Sequence, residues 1–165
     1  MNIWIPALVA VVVQPFVTLA RIAPDYLASA QPLYGIGFLV LAVVAVAAAV
    51  VLLLGIPAFL VLRKFRRDGW MSIGTAGLLL GASPAALAWP RRLAGYSAGR
   101  NWHGNYVETY VNGAPTRYAW LAYGEDVLWF GLHGLLASLV FYAVWRALDR
   151  PGTPLRSTAS APTEH

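Results

Sequence analysis

Glu125, Trp129 and His133 recur at i, i+4 and i+8 in the stretch GEDVLWFGLHG. If the segment is helical, this spacing puts a carboxylate, an indole and an imidazole on one face. An imidazole can take up and release a proton, and a carboxylate about 12 Å away along the axis, with Asp126 beside it, is the pattern of a proton path. His133 falls inside an apolar run, where an ionisable group is costly and usually functional. The plainer alternative is a neutral imidazole hydrogen-bonded to Ser138, Thr18, Gln14 or a backbone carbonyl of a neighbouring helix, and the sequence favours it. Gln14 and Pro15 sit in the middle of another apolar run. There the proline leaves the carbonyl of Val11 without its helical donor, which Gln14 or water is placed to satisfy.

Other chemistry has little to stand on. Arg91, Arg92, Arg100, Asn101, His103, Glu108 and Arg117 could contact a lipid headgroup, but no spacing among them specifies a reaction. The chain has no HExxH, G-x-S-x-G, P-loop or paired-carboxylate motif, so no catalytic residue is assigned. It also has 0 cysteines, which excludes disulfides and thiolate metal sites. No metal ligand set and no cofactor is expected.

The elements that must position these residues are legible in the hydropathy. Of the 165 residues 59% are hydrophobic and 12% charged, against about a quarter charged in a soluble domain, so lipid is the expected solvent. Four apolar runs, at 3–20, 35–62, 71–89 and 127–145, lack Asp, Glu, Lys and Arg and are long enough to span a bilayer. Each must be a helix, because a lone segment in hydrocarbon has to pair its own backbone groups. The run 35–62 is roughly 42 Å long at 1.5 Å per residue and should tilt or project, with Gly55 and Pro57 permitting a bend. Trp4, Tyr34, Trp70, Trp89, Trp129 and Trp145 fall near the expected ends, as interfacial aromatics do. The first run lacks the basic leader of a cleavable signal peptide and is read as a span. Gly77 and Gly81 form a GxxxG, and Gly131, Gly134 and Ser138 line the fourth run; such residues let helices approach closely, here within one chain rather than between copies.

The net charge of +5 does not point to nucleic acid, because the cations flank the apolar runs and report orientation. RKFRRDGW holds the densest cluster, at Arg63, Lys64, Arg66 and Arg67, and should be cytoplasmic. The full tally is seven cations on that side and five on the other, 12 in all. Both termini are then cytoplasmic and the segment 90–126 is exported. The tail 151–165 has no apolar periodicity and is expected to be disordered.

Segment 90–126 is the polar exception. Residues 105–111 and 116–123 are rich in Tyr, Val, Thr and Trp around Asn112-Gly113-Ala114-Pro115, which predicts a β-hairpin. A bare hairpin is marginal. Its cover is expected from the loop 23–32, the bilayer surface, a second copy of the chain or another protein. Trp102, His103, Tyr106, Tyr110, Arg117, Tyr118 and Trp120 are the candidate contact residues.

GIPAFLVLRKFRRDGW with a glycine-rich third span resembles, in general style, small inner-membrane proteins of bacteria, a resemblance that carries no activity. The sequence therefore predicts an all-α integral membrane protein, one domain over 1–150, with four transmembrane helices in a bundle and an extramembrane β-hairpin between helices 3 and 4. It is read as an inner-membrane accessory or interaction protein, without catalysis, whose partners are the lipid bilayer and a membrane protein or a second copy. The alternative is a transporter or channel component with His133 and Gln14 on its pathway.

Overall fold

The computed structural model describes residues 3–27 and 34–149. The expected disordered tail 151–165 lies outside them, as do residues 28–32 of the 23–32 loop. The first helix, α1 (Trp4–Leu27), runs past the expected end at Ala20, so Arg21 is a helical residue. Next comes a continuous rod, Ile36–Lys64, made of α2 (Ile36–Val50), a π turn (Val51–Gly55) and α3 (Ile56–Lys64). The π turn lies where Gly55 and Pro57 permit a bend. A proline ring clashes with the carbonyl four residues back, here Leu53, and cannot donate to it. Widening the turn so that the N–H of Ile56 reaches Val51 O relieves the ladder.

The third rod is α4 (Trp70–Leu87), which contains Pro84. Pro84 frees the Leu80 carbonyl, and the neighbouring Ser83 hydroxyl donates to that oxygen at 2.9 Å. The fourth is α5 (Arg117–Leu148), 32 residues long and thus about 48 Å, longer than a bilayer core of ~30 Å. All four rods are long and apolar enough to cross a membrane.

Between α4 and α5 lies an antiparallel sheet of three strands, β1 (Ala98–Trp102), β2 (Asn105–Val111) and β3 (Ala114–Pro115). The Asn112-Gly113 turn forms as expected, with φ of 50° and 81°. A second turn with the same angles, His103-Gly104, joins β1 to β2. Both are type I′ geometry, which matches strand twist. The pairing differs from the sequence expectation. The long partner of 105–111 precedes it, at 98–102, and the segment 116–123 is not a strand but the start of α5. Two features override its aromatic content. Thr116 takes the extended conformation of an N-cap after Pro115, and Ala119 and Ala122 are buried on one helical face. That face is also the sheet's cover, so the hairpin is backed by the first turns of α5. Thr109 is buried in this seam and donates to Ala98 O.

The bundle core gathers at the end opposite the sheet. Phe59, Phe141 and Trp145 meet edge-to-face, with Phe59 centroids 5.0 and 5.2 Å from the other two, and Arg63 lies over the Trp145 ring at 5.4 Å. Trp145, expected at the headgroup boundary, is buried in this cluster. Along the middle, α4 and α5 touch backbone to backbone. A Cβ built on Gly81 would fall 2.8 Å from Gly134 Cα, and one on Gly77 would run into Ser138 and the Gly134 carbonyl.

Candidate functional site: a polar ladder ending in a carboxylate clamp

Helical spacing on α5 does place Glu125, Trp129 and His133 on a common face, and that face meets α1. The ladder begins at Gln14, buried in α1, whose side-chain amide approaches the carbonyl of Ala10 at 3.5 Å and not that of Val11. One turn on, the Thr18 hydroxyl lies 3.1 Å from Gln14 O and 3.4 Å from His133 Nε2. His133 Nδ1 stands 2.9 Å from Trp129 O. A carbonyl only accepts, so the neutral ring carries its proton on Nδ1 and turns the Nε2 lone pair toward Thr18. The threonine hydroxyl thereby has two acceptors for one proton. Of the partners named for the hydrogen-bonding alternative, Thr18 of α1 is the one within reach; the carbonyl that His133 meets is Trp129 O of its own helix and not one of a neighbouring helix, and Ser138 is elsewhere, donating to Leu135 O and packed against Gly77.

Arg21 carries the ladder onward. Its guanidinium lies over the Trp129 ring at 4.7 Å and reaches Glu125 Oε1 at 3.4 Å. Glu125 is the hub. Its Oε2 accepts from the Trp102 indole at 2.7 Å and is 3.5 Å from His103 Nε2. An indole N–H, a guanidinium and an imidazole all favour an ionised carboxylate. One side chain thus ties α1, α5 and the β1–β2 turn together. Trp102 in turn packs on the Tyr118 ring at 5.7 Å. Asp126, next to Glu125, points to a different neighbour and pairs with Arg100 of β1 at 3.6 Å.

The seven candidate contact residues divide. Trp102, Tyr110 and Tyr118 hold the segment 90–126, the cap of the bundle, together, Tyr110 through a 5.3 Å edge contact with Tyr96. His103 joins the clamp while staying exposed. Arg117 lies over Tyr118 in the first turn of α5. Tyr106, 76% exposed, and Trp120, 49%, are the large rings left outward. Arg21 lies just beyond the apolar run 3–20, which hides it from hydropathy; as a helical residue it lies seven positions from Gln14, on the same face, and that spacing is its available signal. Leu93, Tyr96 and Leu121 are also exposed on the cap and carried no pattern that would single them out.

Among the described residues no group of three or more His, Cys, Asp or Glu could hold a metal ion. The chain matches no family model, no curated protein and no solved structure. Its function has to be argued from the geometry.

Proposed function

We propose that this chain is a membrane-embedded accessory protein that meets a membrane-protein partner through its extramembrane cap, residues 90–126, and acts by contact rather than catalysis. The observation that supports it is the contrast within the cap. Glu125 fastens the sheet to two helices, yet Tyr106, Trp120, Leu121, Leu93 and Tyr96 stay exposed on it. Aromatic side chains on a prefixed scaffold lose little entropy on binding, and they are the usual anchors of protein interfaces. The basic cluster at Arg63–Arg67 supports an orientation with both termini in the cytoplasm of a bacterium and the cap in the periplasm.

The transporter alternative has less support. A cavity between the rods is about 90 Å³ and, apart from Ser138, is lined by apolar side chains and glycines such as Ala10, Phe59, Gly77 and Phe141. Gln14 and His133 are hydrogen-bonded at another interface.

A photo-crosslinking side chain at Tyr106 or Trp120 should capture a single partner protein in stoichiometric yield, while the same group at lipid-facing Leu79 should not. Absence of capture at both cap positions, together with ion flux from a purified oligomer in liposomes, would reverse the ranking. Sidedness is read by introduced thiols, with no native cysteine to interfere. Gly113 is unsuitable, because its φ is +81° and a side chain there would strike Leu93 O. Ala114→Cys is exposed and should react with an impermeant maleimide from the periplasm; Gly69→Cys, with open space around it, should react only after lysis of the inner membrane.

A further inference from the structure

A cavity of about 360 Å³ opens where the last turn of α4 meets α5 and the sheet. It has the size of a small-molecule site and is unlike the closed seams around it. Ala85, Ala88 and Phe130 belong to its apolar part, together with Pro90, Ala119 and Ala122, and Phe130 is 52% exposed. Arg100 and Asp126 form its charged part. Trp89, an interfacial ring 49% exposed, follows Ala88 directly, so the cavity sits at the level where an apolar rod gives way to a water-facing cap.

Most polar groups of the lining are engaged. Thr109 donates to Ala98 O, and the Tyr123 phenol donates to Ala86 O at 2.9 Å. Arg100 and Asp126 are the exception. They form an ion pair with each other, Nη1 to Oδ2 at 3.6 Å, with the Arg100 charge also felt at Glu125, and the side chain of each is 40% exposed. A pair so long and so wet contributes little. It leaves most of the five guanidinium donors and one carboxylate oxygen open.

We propose that this cavity binds a zwitterionic phospholipid headgroup of the phosphoethanolamine type. The guanidinium fork takes the phosphodiester and the Asp126 carboxylate accepts from the primary ammonium. The glycerol and upper acyl carbons lie along Ala85, Ala88 and Phe130. A trimethylammonium head has no N–H to donate and a glycerol head has no cation, so both bind less well. The site rests on the reading of the four rods as membrane spans and is independent of a protein partner for the cap.

The test uses the full chain, purified in mild detergent, stripped of lipid and offered phosphatidylethanolamine, phosphatidylglycerol or phosphatidylcholine with identical acyl chains, retention being measured by native mass spectrometry. Phosphatidylethanolamine should be retained preferentially. Arg100→Gln should reduce retention of all three, and Asp126→Asn should abolish the preference for the ethanolamine head over glycerol. The exchanged pair Arg100→Asp/Asp126→Arg restores an ion pair with the order of charges reversed. It should recover hydrogen-exchange protection of the sheet without recovering the lipid preference. Equal retention of the three lipids by the wild type would overturn the proposal, as would recovery of the preference by the exchanged pair, which would mark the residues as purely structural. Water-soluble glycerophosphoethanolamine competing as well as the lipid would overturn the membrane source of the ligand. Failure of the wild type to float with vesicles is a separate outcome, and it would remove the spanning reading and this site together.

Discussion

The two long faces of α5 are built on opposite principles. Toward α4 the helix presents Gly131, Gly134 and Ser138, and the contact is made by backbone atoms, with Gly134 set against Gly77 and Gly81. Toward α1 it presents His133, Trp129 and Glu125, and the contact is made by the tips of polar and aromatic side chains. The first face sets a distance, because nothing stands between the two helices. The second sets a register, because each donor needs a particular acceptor. Steric contacts of the first kind should fail abruptly on substitution. Hydrogen bonds of the second kind should fail by degrees, since water or neighbouring groups replace part of what is lost.

The largest expected effect is therefore on the glycine face. Gly81→Leu places four carbons where Phe130 O and Gly134 already lie and should cost roughly 3 kcal/mol, the upper part of the overpacking range. The cost would be read as a collapse of the melting temperature in detergent. A stable Gly81→Leu protein would show that the helices part without penalty and would erase the distinction between the faces.

On the polar face the strongest link is Glu125. Glu125→Leu leaves the Trp102 indole and Arg21 without their acceptor. It should cost about 1 kcal/mol, less than the full value of a charged hydrogen bond because the carboxylate side chain is 23% exposed. The loss should be local. Hydrogen exchange in β1 and β2 should accelerate while the α4–α5 seam stays protected; equal loosening of both would mean that the cap and the bundle are one cooperative unit. Further down the ladder, His133→Leu removes contacts to Thr18 and Trp129 O and should cost about 0.6 kcal/mol, the average for interhelical hydrogen bonds in membranes. His133→Asn should fall between that variant and the wild type, and aggregation of both would instead make the imidazole indispensable to the fold. The smallest effect is expected at Leu79, 61% exposed on α4. Leu79→Ala should leave the melting temperature nearly unchanged, and a loss as large as that of Gly81→Leu would place a partner on the face read as lipid-facing.

How far the sequence reaches differs from element to element. Gly77 and Gly81 were legible as a packing surface because spacing alone puts them on one side of a helix, and α5 is what they meet. Asn112-Gly113 was legible as a turn because few other residues accept positive φ. The strand partner was not. His103-Gly104 makes an equally good type I′ turn, but histidine is a weak turn signal, and the β-prone look of RYAWLAY obscured the alanines that bury against the sheet. Arg21 illustrates the same limit, for its value to the site came from a helix that continued beyond the apolar run.

The sequence by itself determined the quantities that depend on neighbours along the chain. These are four apolar rods long enough for a bilayer, a basic cluster at one end, a polar insertion between the third and fourth rods, and a face of α5 shared by Glu125, Trp129 and His133. Lipid-compatible helices follow from composition, since backbone groups in hydrocarbon must pair within their own segment. Tertiary structure decided what those faces meet. It set Thr18 against His133, brought Arg21 and Trp102 to Glu125, parted Asp126 toward Arg100, and pressed Gly134 onto Gly77 and Gly81. These pairings join residues up to 115 positions apart. They depend on how rods rotate and tilt against one another, which side-chain periodicity within a single helix does not encode.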